Sequence, residues 1–187
     1  MGALPVVTSA SPQVAAQYLT FLLGADMFAI GILAVKEIIE YGGVTALPGM
    51  PACISGVINL RGAAVPVLDL ARRLDRAPGP VTKRTCIIVL EVAADDGAFV
   101  IGILVDAVQA VVDIGAADIE PAPSFGAQVR AELLLGIGKI GGRFVLLLDV
   151  QHVVAGSEIA ALAAAGGAPP PLDTELAAPA AAEPAAP

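Results

Sequence analysis

Short apolar segments separated by turn-forming residues recur along most of this chain, a pattern typical of β-strands. Residues 18–23 and 27–32 are apolar segments separated by Gly24-Ala25-Asp26, and residues 85–92 and 98–105 flank Asp95-Asp96-Gly97. Both connections have the composition of tight hairpin turns, in which glycine adopts the positive φ that other residues avoid. The pattern therefore predicts two antiparallel hairpins.

Two more hairpins are predicted nearer the ends of the two halves. Residues 57–60 and 63–68 flank Arg61-Gly62, and residues 133–140 and 143–148 flank Gly141-Gly142. Asp69 and Asp149 follow these hairpins, and each is a good N-cap for a helix, the first reaching about residue 74 and the second residue 165. Residues 33–41 are ambiguous between a helical turn and a strand, with a strand preferred from about residue 35. A further strand is expected over 108–114, a short helix over 51–56 and a loop over 119–132, with a helical turn as an option at its end.

The pattern occurs twice. The segment 56–70 returns in altered form as 136–150, about 80 residues later, and Phe28-Ala29-Ile30-Gly31-Ile32-Leu33 returns as Phe99-Val100-Ile101-Gly102-Ile103-Leu104, about 71 residues later. A period of this length suits a small barrel rather than a solenoid repeat. We therefore predict two β units, about 17–80 and 81–154, with an insertion between residues 104 and 136.

The composition supports an all-β fold with short helices. Hydrophobic residues make up 57% of the 187 residues but aromatic residues only 4%, so Val, Ile, Leu and Ala must build the core. Residues 1–16 are predicted to be a mobile arm. Residues 155–187 are predicted to extend the C-terminal helix and then form a disordered spacer rich in Ala and Pro.

Charge and hydropathy exclude several classes of partner. The net charge of −8 opposes nucleic acid. The basic cluster of residues 72–84 is expected to be a solvated connection between the units. The apolar window 41–60 contains Pro48 and Pro51, which disfavour a membrane helix, and the first residues lack the positive start of a secretory signal. We predict a cytoplasmic protein with no direct membrane insertion.

No cofactor, metal ion or catalytic group is predicted. Residues 136–141 match GxGxxG, but a strand follows where a nucleotide site needs a helix, so a hairpin is the preferred interpretation. A small-ligand or nucleotide-binding protein using Gly136 to Gly142 is the alternative. Cys53 and Cys86 have no CxxC partner. The remaining candidates receive structural interpretations: His152 as a surface helix residue, and Asp106 and Asp113 as charges that protect a strand edge.

Arg61 is the main candidate for a functional side chain. It lies at a hairpin turn where the other copy has Gly141, so the backbone does not require a long side chain there. Lys36 and Glu37 interrupt the apolar run 32–39, as a charged rim does beside an apolar contact patch. We hypothesise that Arg61 and Glu37 form an ion pair that orients a partner-binding strand.

The chain resembles a known family. Gly56-Val57-Ile58-Asn59-Leu60-Arg61-Gly62 followed by Val65-Pro66-Val67-Leu68-Asp69-Leu70 resembles the signature of CheW, the coupling protein of bacterial chemotaxis, and of the related regulatory domain of the histidine kinase CheA. Other segments occur in the same order, and the resemblance covers about residues 17–154. These include Tyr18-Leu19-Thr20-Phe21, Gly102-Ile103-Leu104-Val105-Asp106 and Leu135-Gly136-Ile137-Gly138-Lys139.

The resemblance implies two SH3-like five-stranded β-barrel subdomains packed together, in a non-enzymatic adaptor. One surface would bind the cytoplasmic hairpin tip of a chemoreceptor. Val35, Glu37 and Arg61 match the positions tied to receptor coupling, and Ile32 lies beside them on the first unit. Another surface would bind the regulatory domain of CheA, with Val105 and Val108 as candidate contacts. The protein would then join membrane-bound receptor arrays through its partners.

Overall fold

The computed structural model describes residues 15–94, 97–122 and 130–155, and those ranges form two mixed β-sheets with short helices. The first half contributes β1 (Ala16–Leu23), β2 (Asp26–Gly31), β3 (Val35–Glu40), β4 (Ile54–Leu60), β5 (Ala63–Asp69) and α1 (Leu70–Arg73). The second half contributes β6 (Cys86–Ala94), β7 (Gly97–Val105), β8 (Ala107–Ile114), β9 (Ile119–Glu120), β10 (Leu134–Ile140), β11 (Arg143–Leu148) and α2 (Val150–Val154). The mostly-β prediction is confirmed.

All four predicted hairpins form. The turn between β4 and β5 has positive φ at Arg61 (52°) and Gly62 (89°), and the turn between β10 and β11 has positive φ at Gly141 (54°) and Gly142 (82°). Positive φ at both central residues is the signature of a type I′ turn, whose twist matches that of the strands it joins. The two turns are therefore equivalent in the repeat.

One local prediction is wrong. Residues 51–56 do not form a short helix: a turn lies at residues 52–53, and β4 begins at Ile54, whose side chain is buried. Pairing of Ile54 with Leu68 overrides the helical tendency of the proline-led segment. In the predicted loop 119–132, of which residues 123–129 lie outside the described part, the helical turn forms at the end, at Ala131–Leu133, but the loop begins with the short strand β9, paired with β10.

The sheets do not follow the predicted division near residue 80. The strand order is β8-β1-β2-β11-β10-β9 in one sheet and β3-β6-β7-β5-β4 in the other. The first hairpin of each half thus joins the later strands of the other half, through parallel pairing of β2 with β11 and of β5 with β7. The repeat is present, but the first hairpin of each half lies in the sheet that contains the later hairpin of the other half. The chain segments that connect these hairpins therefore link the two sheets covalently.

Neither sheet closes into a barrel through the hydrogen bonds of the described residues. The outer strands are β8 and β9 in the six-stranded sheet and β3 and β4 in the five-stranded sheet. In the five-stranded sheet, a single bridge between Thr45 and Val57 curls the edge at β4. In the six-stranded sheet, pairing of the short strand β9 with β10 curls the corresponding edge. The expected closed five-stranded barrels are therefore corrected to two open, curled sheets.

The main core lies between the two sheets, and each sheet also has a smaller apolar cluster on its opposite face. Successive residues of β11 show the alternation: Leu148 joins the main core, whereas Val145 and Leu147 join the smaller cluster of the six-stranded sheet. Val67, Ile87 and Val89 form the matching cluster of the five-stranded sheet. The central strands are thus buried on both faces, as their continuous apolar sequences require.

Candidate partner-binding surface

Arg61 occupies a backbone conformation that glycine normally provides. Its φ of 52° nearly equals the 54° of Gly141 at the equivalent turn. A non-glycine residue in this region costs about 1 kcal/mol relative to its usual conformations. Because the turn would form more easily with glycine, the guanidinium group is retained for an interaction of its side chain.

That interaction is an ion pair with Glu37. Arg61 Nη2 lies 3.1 Å from Glu37 Oε2, with the arginine side chain 80% exposed and the glutamate side chain 26% exposed. The hypothesised pair is therefore present. Glu37 lies on β3 just after a register shift that begins at Val35, and Lys36 between them pairs with Glu91 at 3.2 Å. The outer strand β3 consequently presents two ion pairs.

An apolar groove of about 550 Å³ lies between the two sheets, beside the start of β3. Leu33, in the 3-10 turn before β3, is 99% exposed, and Leu135 on β10 is 53% exposed. The groove is also lined by Ile32, and Glu91 of the second ion pair contributes to its wall. An almost fully exposed leucine over an apolar groove is typical of a surface that another protein covers.

The structure brings some of the predicted site residues together and separates others. Ile32 lines the groove, Val35 follows it at the start of β3, and Glu37 and Arg61 form the pair farther along. The sequence pattern did not reveal Leu33 as a surface residue, because Leu33 directly follows the apolar segment 27–32 and the sequence of residues 33–41 is ambiguous between a helical turn and a strand. The 3-10 turn at Ile32–Ala34 interrupts that strand and turns Leu33 outward.

Val105 is corrected as a candidate contact. It is only 1% exposed and belongs to the core between the sheets, so its side chain offers no surface to a partner in this fold. Val108 is half-buried on β8, an outer strand of the six-stranded sheet. Of the two candidates for the kinase contact, only Val108 remains near the surface.

The two helix caps are confirmed, but α2 ends at Val154, where Ala155 is already extended, rather than continuing to residue 165; the rest of the predicted C-terminal extension lies outside the described residues. Asp69 Oδ1 accepts a hydrogen bond from the backbone N–H of Arg72 at 3.1 Å, and Asp149 Oδ1 accepts one from His152 at 3.2 Å. The side chain of His152 returns to Asp149, with Nδ1 lying 2.8 Å from Oδ2. The lone histidine is thus an exposed helix residue paired with its own cap.

The basic cluster is not simply the solvated connection that was predicted. Arg73 donates to three backbone carbonyls at the end of α2, those of His152, Val153 and Ala155. Asp106 also differs from its prediction: it lies at the bend between β7 and β8, and its carboxylate accepts from Gly24 N at 2.6 Å. Asp113 does lie on the outer strand β8.

The nucleotide-binding alternative is wrong for Gly136 to Gly142. This segment is part of β10 and the turn to β11, so no helix N-terminus meets it. Gly136 instead allows β9 to approach, since a Cβ there would lie 2.5 Å from the carbonyl oxygen of Glu120. Among the described residues there is no group of His, Cys, Asp and Glu suited to a metal ion, and Cys53 and Cys86 are free thiols.

A family model described as the CheW-like domain matches residues 17–158 of the chain. The chain is also 36% identical over 159 residues to chemotaxis protein CheW of Klebsiella aerogenes, a match covering 85% of this chain and 93% of that protein. The chain belongs to the CheW family. As a CheW-family member it is a chemotaxis scaffold protein rather than an enzyme.

Other comparisons agree with this assignment to the CheW family. The probable chemotaxis protein CheW of Rhizobium etli is 34% identical over 142 residues, covering 76% of this chain and 89% of that protein. The crystal structure of the scaffolding protein TtCheW from Thermoanaerobacter tengcongensis superposes with a TM-score of 0.69 at 26% identity, covering 80% of this chain and 94% of that chain. The two-sheet architecture is therefore the CheW fold. No helix in the described part of this CheW-family chain is long and apolar enough to span a membrane.

Proposed function

We propose that this chain couples chemoreceptors to the histidine kinase CheA as a non-catalytic adaptor in a cytoplasmic receptor array. The observation that carries the proposal is the apolar groove under Leu33, where Glu91 of the Lys36–Glu91 ion pair forms part of the wall and the Arg61–Glu37 pair lies farther along β3. Apolar side chains at the hairpin tip of a receptor would enter the groove. The charged pairs would fix the register of the receptor helices along β3.

The kinase would bind elsewhere on the molecule. The regulatory domain of CheA resembles this chain, so we propose that it packs against the outer edge of the six-stranded sheet, near Val108 on β8. Separate surfaces for the two partners let one adaptor hold both at once. Each contact alone would be modest in area and reversible, as suits a protein that assembles into an array.

Co-purification with a receptor hairpin and with the kinase regulatory domain tests the proposal. Leu33→Gln removes the exposed leucine at little cost in stability, because the side chain is 99% exposed. We expect it to reduce retention of the receptor hairpin at least about tenfold while leaving retention of the kinase domain unchanged. Leu47→Gln is the matched control, since Leu47 is an exposed leucine (43%) outside the groove. Equal retention by Leu33→Gln and wild type would show that the groove is not the receptor site.

A further inference from the structure

A second pocket, of about 560 Å³, lies beside α1 and is lined by four arginines. They are Arg72 and Arg73 of α1, Arg76 just after it, and Arg130 before the 3-10 turn at Ala131–Leu133. We propose that this pocket binds a phosphate-class oxyanion. The receptor-coupling surface shares none of these lining residues, so the two proposals stand or fall separately.

Two of the arginines use only part of their donor capacity within the protein. Arg73 donates from Nε and Nη2 to carbonyls of α2 and of the residue after it. Arg72 pairs through Nε with Asp69 and donates from Nη1 to the carbonyl of Ala52. These bonds hold both guanidinium planes in place, and within the described part of the chain Nη1 of Arg73 and Nη2 of Arg72 have no hydrogen-bond partner. A guanidinium group held in this way is prepared for directional recognition of an oxyanion.

Arg76 adds charge to the wall of the pocket but no accessible donor. Its Nη2 pairs with Asp26, and its guanidinium carbon lies 5.7 Å from the centroid of the Phe28 ring. Nη1 of the same side chain is buried and has no hydrogen-bond partner among the described residues. Because protein atoms cover Nη1, an oxyanion in the pocket would be bound by the other arginines.

The balance of charge limits the affinity. Carboxylates accompany three of the four lining arginines: Asp69 pairs with Arg72, Asp26 with Arg76, and Asp75 with Arg130, whose Nη1 also lies 3.9 Å from Glu132. Four carboxylates thus face four guanidinium groups, so recognition would depend on directed hydrogen bonds rather than on net charge. We therefore expect a dissociation constant on the order of 1 mM and a preference for a tetrahedral dianion over chloride. Because α1 follows β5 of the five-stranded sheet and Arg130 precedes β10 of the six-stranded sheet, the anion would link the two sheets.

The test is a titration of the full-length protein with inorganic phosphate near neutral pH, at constant ionic strength set with sodium chloride. The Nε–H signals of the arginines, followed by NMR up to about 20 mM phosphate, should shift along a saturable curve. Arg72→Gln and Arg130→Gln each remove one lining guanidinium and should weaken binding at least about fivefold. Arg84→Gln, at an exposed arginine outside the pocket, is the matched control and should bind as wild type does.

Three outcomes would overturn the proposal: shifts that grow linearly without saturation, the same shifts with chloride alone, or unchanged binding in both pocket variants. A rise in melting temperature is not used as the readout, because phosphate and sulfate stabilise most proteins by exclusion from their surface. Circular dichroism confirms that each variant is folded. If one is not, the wild-type titration against chloride still decides whether the anion binds.

Discussion

Arg61 and Glu37 connect the two outer strands of the five-stranded sheet, with Nη2 of the arginine 3.1 Å from Oε2 of the glutamate. Glu37 lies on β3, and Arg61 lies in the turn that follows β4, at the opposite edge of the strand order. The pair therefore spans the opening of the curled sheet. It holds the groove-side strand β3 to a turn whose own backbone would be more stable with glycine.

Reversal of the two charges tests whether this pairing matters for coupling. Arg61→Glu and Glu37→Arg should each reduce retention of the receptor hairpin, whereas the double exchange should restore most of it. Unfolding in urea should change by less than about 1 kcal/mol in either single variant, because exposed ion pairs contribute little to stability. A double variant that retains no more receptor than the singles would show that the individual charges, not their pairing, are required.

Arg61→Gly separates the backbone role of this residue from its side-chain role. Glycine relieves the strain at a φ of 52°, which offsets the lost ion pair, so we expect a free energy of unfolding within about 0.5 kcal/mol of wild type. Receptor retention should nevertheless fall. Arg61→Val lacks the charge, and valine tolerates positive φ poorly, so this variant should show both a lower free energy of unfolding and a lower retention of the receptor hairpin. Normal retention by Arg61→Gly would end the argument that the guanidinium group is functional.

Gly56→Ala should destabilise the protein by about 2–4 kcal/mol. An added Cβ would lie 2.3 Å from the carbonyl oxygen of Thr45, at a φ of 149°. Gly31→Ala is the control, since nothing lies within 4 Å of a Cβ at that position and its φ is −58°. Chemical denaturation of both variants measures the difference. Similar free energies of unfolding would mean that the bridge between Thr45 and Val57 shifts easily to make room.

The two equivalent helix caps should differ in strength. Asp69 is 5% exposed, pairs with Arg72 Nε at 3.2 Å and caps α1, whereas the Asp149 side chain is 21% exposed. We expect Asp69→Ala to lower the free energy of unfolding by about 2 kcal/mol and Asp149→Ala by about 1 kcal/mol. Asn at either position keeps the capping acceptor and should recover about half of each loss. The reverse order of the two alanine variants would contradict this ranking.

Arg73 should stabilise α2 rather than its own helix. Replacement by Met keeps the aliphatic part of the side chain and removes the hydrogen bonds to the carbonyls of His152, Val153 and Ala155. We expect a loss of about 2 kcal/mol and a selective fall in hydrogen-exchange protection at Val153 and Val154. Arg84→Met, at an exposed position, should leave the exchange rates of α2 unchanged. Equal hydrogen-exchange protection of α2 in Arg73→Met and Arg84→Met would show that the hydrogen bonds of Arg73 do not stabilise α2.

Local features of this fold were predictable from the sequence, because each depends on residues close together in the chain. The four hairpins follow from turn residues between apolar segments, and the caps of α1 and α2 follow from an aspartate at the end of a strand. The repeat was visible for the same reason. Even the pairing of Arg61 with Glu37 could be inferred, since the backbone gave that arginine no local purpose.

The repeated segment that occurs at 28–33 and again at 99–104 shows where the similarity between the two halves ends. Phe28 is fully buried, whereas Phe99 at the matching sequence position is only partly buried. Ala29, which pairs with Leu147, lies three positions after Asp26, whereas Gly102, which pairs with Val67, lies five positions after Gly97. The second hairpin therefore extends two residues farther before it meets its parallel partner. The shift is even, so the same face of the strand stays buried.

The sequence by itself determined the strands, their turns, the caps and the twofold plan, since backbone conformation and side-chain alternation are local properties. Only the tertiary structure decided which sheet each hairpin joins, that Val105 is buried and Leu33 exposed, and that Arg73 reaches α2. The apolar residues of a strand show that it must be buried, but they do not specify which neighbouring strand or sheet it packs against. The partner is chosen by the packing of both sheets around one shared core, which depends on the whole chain at once.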